Sequence, residues 1–131
     1  PNIYPIDFPS TEAGTFSGIL NENYFKEPID PIVLLFASKK LPGFMIIYYP
    51  QEHKLVTGSP PMVAEDVSLF DGAKKQLVYT FKKDGEQVLF IDGSKIVSSP
   101  FKLNKGSLLT GMVTGNSELF VSDEFESVNV E

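Results

Sequence analysis

Apolar and polar residues alternate in short runs along most of this chain, and turn residues interrupt the runs at intervals of about eight to twelve residues. No apolar repeat of helical period is sustained. The pattern predicts an all-β fold, either a two-sheet antiparallel sandwich or a jelly roll. The predicted strands span residues 15–20, 32–37, 44–49, 54–57, 62–69, 76–82, 86–91, 95–98, 107–113, 118–121 and 125–130. Prolines at positions 1, 5 and 9 exclude a central strand, so residues 1–9 are predicted to lie along a sheet edge.

The clearest local prediction is a three-stranded meander over residues 76–98. Its two turns are predicted at Asp84-Gly85 and Asp92-Gly93, because these dipeptides adopt the positive φ angles of tight hairpins. One face of the meander is predicted to fill the core and the other to be partly wet. The predicted core residues are Leu77, Tyr79, Phe81, Val88 and Phe90.

Length and composition indicate one globular domain spanning residues 1–131, with 42% apolar and 21% charged residues. No apolar run approaches the roughly 18 residues of a membrane span, so direct membrane insertion is not expected. The N-terminus carries no recognisable signal peptide, which suits either a mature fragment or a cytosolic protein.

Several residue types are missing, and their absence excludes whole classes of chemistry. The chain has no Cys, no Trp and one histidine, His53, and all 11 of its basic residues are Lys. Thiol nucleophiles, disulfides and His-rich or Cys-rich metal sites therefore drop out. A net charge of −6 repels phosphate, and there is no Arg to bind it in a fork. We expect no cofactor, no metal and no nucleic-acid partner.

Catalysis is not predicted either. His53 falls in a predicted hairpin loop without a recognisable nucleophile as companion. The acidic residues Asp123, Glu124 and Glu126 lack the Gly-bearing turn of a calcium loop, so they are interpreted as solvated charges on a sheet edge.

Three stretches carry a resemblance to a known family. Val-Leu-Phe-Ile-Asp-Gly-Ser-Lys-Ile at 88–96 is similar to the hairpin that galectins and laminin-G-like domains share in their concanavalin-type jelly roll. The Phe70-Asp71-Gly72 turn and the stretch 108–120 with the ending 127–130 resemble galectins more specifically. Segments 31–39 and 45–50 are similar to the galectin strands that hold galactose. The resemblance implies a galectin-like sandwich.

The same resemblance implies a degenerate galactose site. Galectins hold the sugar with His-x-Asn-x-Arg on one strand, Asn on the next, and then Trp, Glu and Arg. The matching positions here are Leu35, Ala37 and Lys39, then Tyr49, then about Val56, Ser59 and Pro61. Nearly all polar ligands and the stacking Trp are missing, so β-galactoside binding is not expected.

An apolar patch would replace that site. Leu35, Ala37 and Lys39 alternate along one strand, and Met45, Ile47 and Tyr49 along its neighbour; the resemblance places both sets on the concave, solvent-facing side. Such a patch is typical of a protein-binding surface. Two alternatives stay open. A one-residue register slip would instead turn outward Leu34, Phe36, Ile46 and Tyr48. Both sides of these strands are apolar, which also suits central strands covered by another element.

The predicted function is therefore a non-enzymatic protein–protein binding module. The chain is similar to the galectin-like C-terminal domains of parasite microneme adhesins, which are also free of Cys and of galactose ligands. That resemblance implies a secreted or surface adhesion complex and an EGF-like domain of a membrane escort protein as partner, with the cytoplasm left open as a location. The alternative is a lectin that stacks sugars on Tyr48, Tyr49 or the region of Tyr4 and Tyr24. An inert spacer domain is a third interpretation.

Overall fold

Two antiparallel sheets make up the structure, a computed structural model that describes residues 3–6, 12–21, 29–37, 44–102 and 119–131. The strands are β1 (Ile3–Ile6), β2 (Ala13–Leu20), β3 (Ile32–Ala37), β4 (Met45–Tyr49), β5 (Lys54–Thr57), β6 (Met62–Ala64), β7 (Gln76–Lys82), β8 (Glu86–Ile91), β9 (Ser94–Pro100), β10 (Leu119–Ser122) and β11 (Phe125–Val130). The six-stranded sheet has the order β1-β10-β3-β4-β5-β6, and the five-stranded sheet has the order β11-β2-β7-β8-β9. Within the described ranges no helix is present. The predicted all-β sandwich is confirmed.

The hydrophobic core lies between the two sheets. Strand β4 alternates half-buried and buried residues, and β7 buries Leu77, Tyr79 and Phe81 in the same period of two. The Phe44 and Tyr79 rings meet across the core with centroids 4.6 Å apart. In β7 the alternation of the sequence therefore marks the side that faces the opposite sheet.

Most predicted strands form where the alternation placed them. Strands β3, β5, β7, β8 and β11 have the predicted bounds, and β1 pairs only with β10, so it is the sheet edge that the prolines indicated. The predicted strand at 107–113 lies outside the described residues.

The predicted strand 62–69 is too long. Strand β6 ends at Ala64, because Asp66 takes a left-handed backbone conformation with φ 56°. Val67 and Leu69 are nevertheless buried, and the Val67 N–H donates a hydrogen bond to the His53 carbonyl at 2.8 Å. Val67 and Leu69 are two residues apart, like inward-facing residues of a strand, but they belong to a loop that is anchored to the β4–β5 loop.

The two hairpins of the meander differ in loop length. Asp92 and Gly93 have φ angles of 51° and 83°, as predicted for a two-residue turn, and Ile91 pairs with Ser94. Between β7 and β8, residues 83–85 form a longer loop in which Asp84 has φ 58°.

The longer loop moves the register of β8 by one residue. Phe81 pairs with Gln87, and Tyr79 pairs with Leu89, so Gln87 and Leu89 face the core. The prediction that Val88 and Phe90 fill the core is wrong, because a one-residue shift turns every side chain to the other face. Both are half-buried on the outside of the five-stranded sheet.

Gln87 is the polar centre of the interior. Its Oε1 accepts hydrogen bonds from the Ser59 N–H at 2.9 Å and the Tyr79 hydroxyl at 2.8 Å, and its Nε2 donates to the Pro60 carbonyl at 2.9 Å. Burial raises the pKa of Tyr79, so its phenol stays a donor. Gly58 has φ 92°, and a Cβ there would collide with the Gln87 amide. These bonds tie the β5–β6 connection to the five-stranded sheet.

Candidate functional site

Strand β4 presents the predicted residues on the outside of the sandwich. Met45, Ile47 and Tyr49 are half-buried, whereas Ile46 and Tyr48 are fully buried between the sheets. The alternation along this strand therefore follows the first of the two registers considered for it. The slipped register, which would turn Ile46 and Tyr48 outward, is wrong for β4.

Strand β3 departs from the prediction. The pairing with β4 is Val33 to Ile47 and then Leu35 to Ile46, so a β-bulge places one extra residue, Leu34, in β3. Leu34 and Leu35 are both fully buried. The prediction that Leu35 lies on the outer face is wrong, because the bulge reverses the inside–outside pattern. Val33 on one side of the bulge and Phe36 on the other point outward.

Three further candidates lie at the end of β3 or outside the described residues. Ala37 is its last residue and pairs with Leu119 of β10, while Lys39 and Tyr24 lie outside the described residues. One residue earlier in β3, Phe36 pairs with Phe120 of β10. The two rings stack with centroids 5.3 Å apart and planes 13° apart. The sequence does not reveal this pair, because it depends on β10 lying beside β3.

Tyr48 does not stack on a sugar in this fold. Its ring is fully buried, its hydroxyl donates to the Val67 carbonyl at 3.1 Å, and the same oxygen accepts from the Leu69 N–H at 3.2 Å. The prediction of Tyr48 as a stacking platform is therefore wrong. Tyr4 also packs against the core, where burial and the negative charge of Asp123 raise the pKa of its phenol.

Among the described residues, outward side chains on five adjacent strands of the six-stranded sheet, from β10 to β6, form a surface that we call the apolar face. Only one of its members, Lys54, is charged, and Val63 is 47% exposed. The apolar face consists of Val33, Phe36, Met45, Ile47, Tyr49, Lys54, Val56, Val63 and Phe120. Aliphatic and aromatic groups of this kind offer contact area to a partner and few hydrogen bonds.

A depression of about 320 Å³ lies at one end of the apolar face, and we call it the Tyr49 depression. It is lined by Tyr49, Glu52, Lys54, Val56 and Val63. Tyr49 pairs with Lys54 across β4 and β5, and Val56 pairs with Val63 across β5 and β6, while Glu52 comes from the β4–β5 loop. Three adjacent strands and one tight loop thus fix its walls.

The charges around the Tyr49 depression do not balance. Lys54 Nζ lies 4.0 Å from Glu65 Oε1, which gives the ammonium group a partner. Among the described residues, the structure shows no hydrogen bond or ion pair for the Glu52 carboxylate. The lining itself holds one carboxylate, Glu52, and one ammonium group, Lys54; together with Glu65, the ion-pair partner of Lys54, the three charges sum to −1.

His53 and the acidic residues are not gathered into a metal centre in the described ranges. His53 is exposed on the β4–β5 loop, with Nδ1 3.3 Å from the Ser68 hydroxyl, a contact between exposed side chains that excludes no water. No group of three His, Cys, Asp or Glu side chains in the described part of the chain is arranged to hold a metal ion. The same residues include no helix of the length and apolar character needed to cross a bilayer.

Comparison with known proteins identifies the architecture. No protein-family model matches the chain, and no curated protein sequence does. Solved structures match instead. The binding domain of botulinum neurotoxin serotype D/C superposes with a TM-score of 0.58 at 12% sequence identity, over 92% of this chain and 31% of that binding-domain chain. The chain has a jelly-roll β-sandwich fold.

Two further structures show the same likeness. A botulinum neurotoxin DC binding domain in complex with rat synaptotagmin II has a TM-score of 0.57 at 12% identity, over 92% of this chain and 30% of that chain. A structure of botulinum neurotoxin type C has a TM-score of 0.56 at 14% identity, over 92% of this chain and 31% of that chain. Cell entry of that toxin depends on interaction with two ganglioside molecules. The chain thus spans about a third of each neighbour. None of these comparisons supports a degenerate galactose site or a likeness to microneme adhesins.

Proposed function

We propose that this protein is a non-enzymatic binding module and that it recognises a partner protein through the apolar face. The observation that carries the proposal is the single charge among the nine side chains of that face. Soluble proteins rarely leave a large contiguous apolar surface to water unless another molecule covers it. The structural neighbours support a binding role in general, since they are binding domains, and one is bound to a protein, rat synaptotagmin II.

The chemistry of the face favours a protein over a galactoside. Recognition of a sugar ring needs several hydrogen-bonding groups directed at its hydroxyls, usually beside one aromatic platform. At the centre of the apolar face stand Met45, Ile47 and Val56, whose side chains form no such bonds. On the sequence resemblance alone, we extend the proposal to a secreted or surface adhesion complex in which the partner is an EGF-like domain.

The second candidate function is a lectin that uses contacts unlike those of galectins. Tyr49 is the aromatic side chain of the Tyr49 depression, and Glu52 and Lys54 bring polar groups beside it. An aromatic platform next to hydrogen-bonding groups is the minimal arrangement for stacking a sugar. A neurotoxin neighbour in complex with SialylT supports testing this candidate.

Affinity capture from the source secretome and lysate, run beside a glycan array, tests the two functions with matched variants. Tyr49→Ala removes an aromatic group from the apolar face, and Phe90→Ala removes one from the outside of the five-stranded sheet. We expect one protein to be retained by the wild type and Phe90→Ala, to resist elution with lactose, and to bind Tyr49→Ala about tenfold more weakly.

The opposite results decide against the proposal. Equal retention by Tyr49→Ala and Phe90→Ala would remove the apolar face as the binding surface. A glycan signal that Tyr49→Ala abolishes, together with an empty protein capture, would establish the lectin function instead.

A further inference from the structure

The loop that carries Glu52 is held firmly in place. The His53 N–H bonds to the Pro50 carbonyl at 3.3 Å and closes the turn, and the His53 carbonyl accepts from the Val67 N–H at 2.8 Å. His53 itself adopts φ 52°. These two hydrogen bonds hold the loop backbone, so Glu52 lines the Tyr49 depression from a fixed position.

Three kinds of group converge in this depression. Glu52 supplies a carboxylate without an ion-pair partner among the described residues, Tyr49 supplies an aromatic ring, and Val56 and Val63 supply aliphatic walls. Lys54 also lines the depression, but its ammonium group lies 4.0 Å from Glu65 Oε1, so the charge of Glu65 offsets that of Lys54. A cation is attracted both to a carboxylate and to the face of an aromatic ring.

We infer that the Tyr49 depression binds a basic side chain of the partner protein, with the cationic head between Glu52 and the Tyr49 ring and the methylene stem along Val56 and Val63. Long basic side chains bury their stems on apolar surfaces and keep their charged ends at a polar group. This inference rests on the proposed function and states what the partner must bring: an apolar surface for the apolar face and one Lys or Arg at its border.

The charge balance favours this occupant over a sugar. A neutral sugar gains nothing from an excess of one carboxylate among Glu52, Lys54 and Glu65, and the aliphatic walls Val56 and Val63 offer it no hydrogen bonds. The charges of Glu52, Lys54 and Glu65 sum to −1, which is complementary to a guanidinium or an ammonium group.

Titration with N-acetyl-arginine amide, followed by the NMR shifts of the backbone amides of residues 49, 51–56 and 62–64, tests the inference on the whole chain. N-acetyl-citrulline amide is the uncharged control of the same shape. We expect saturable shifts with arginine at millimolar concentration and at least about fivefold weaker binding of citrulline. Glu52→Gln and Tyr49→Leu should each weaken arginine binding about threefold or more. Glu86→Gln, which changes an exposed carboxylate on the other sheet, should leave it unchanged.

Three results would overturn the inference: equal shifts from arginine and citrulline, no effect of Glu52→Gln, or preferential shifts of the same amides by neutral monosaccharides. Partner capture separates this failure from a failure of the proposed function. If Ile47→Asp abolishes capture and Glu52→Gln does not, the partner binds the apolar face without a basic anchor. If arginine binds as expected but capture ignores Ile47→Asp, the proposed function is wrong and the cation site still stands.

Discussion

The two outer surfaces of this sandwich follow the same strand alternation but carry different chemistry. On the five-stranded sheet, hydroxyl, amide and charged side chains separate the apolar ones. The polar members are Thr15, Ser17, Gln76, Thr80, Lys82, Glu86, Lys95, Ser98, Ser127 and Asn129, and the apolar ones include Ile19, Val78, Val88 and Phe90. The apolar face has one charge, at Lys54, among side chains that are otherwise aliphatic or aromatic. Since one fold produces both surfaces, the apolar character belongs to the sequence of one sheet and is not required by the architecture.

The largest expected contrast separates the two sides of β4. Ile46 is fully buried and Ile47 is half-buried on the apolar face, so the two neighbours differ only in environment. We expect Ile46→Ala to lower the free energy of unfolding by about 2–5 kcal/mol, because it leaves a cavity between the sheets. Ile47→Ala should cost about 1 kcal/mol or less. Urea unfolding of both variants measures the difference; equal losses would mean that Ile47 is also a core residue.

A smaller contrast concerns the two adjacent tyrosines. Tyr48→Phe removes the oxygen that bonds the Val67 carbonyl and the Leu69 N–H, and it leaves both groups buried. We expect a loss of about 1–3 kcal/mol in the free energy of unfolding. Tyr49→Phe, on the apolar face, should stay within about 0.5 kcal/mol of the wild type. A stable Tyr48→Phe variant would contradict the anchoring of the loop after β6.

The smallest effect has the opposite sign. The Thr57 hydroxyl is buried and has no hydrogen-bond partner among the described residues, so Thr57→Val should raise the free energy of unfolding by about 1 kcal/mol. Thr80→Val makes the same change on the outside of the five-stranded sheet, where water can solvate the hydroxyl, and should alter it by less than about 0.5 kcal/mol. Thermal unfolding of the pair checks the sign, and destabilisation by Thr57→Val would show that the hydroxyl is satisfied.

The sequence predicts elements well where a pattern has only one solution. The alternation in β7 specifies its inner face, which appears as predicted. An Asp-Gly dipeptide does not settle the loop length, since Asp92-Gly93 forms a two-residue turn and Asp84-Gly85 lies in a three-residue loop. Strand β3 is apolar on both sides, so nothing in its sequence reveals the bulge that buries Leu34 and Leu35 together. The β7–β8 loop is one residue longer than the predicted two-residue turn. That single residue decides which side chains of β8 face the core.

The candidate site was predictable only in part. Met45, Ile47 and Tyr49 lie on the outer face, as the resemblance implied, although β4 is apolar on both sides and its sequence fits either register. Leu35 and Tyr48 were misplaced because a bulge and a buried hydroxyl network are tertiary features. Glu52 was missed as a site residue, since only the hairpin brings this loop glutamate beside Tyr49.

The most direct test of the apolar face is a pair of charge substitutions at matched half-buried positions of the two sheets. Ile47→Asp introduces a carboxylate at the centre of the apolar face, and Val88→Asp introduces one on the outside of the five-stranded sheet. Quantitative capture of the retained partner protein by both variants, after circular dichroism confirms that they are folded, gives the answer. Loss of capture by Ile47→Asp with retention by Val88→Asp is the expected result. Retention by Ile47→Asp, or loss only by Val88→Asp, would contradict the assignment of the apolar face as the binding surface.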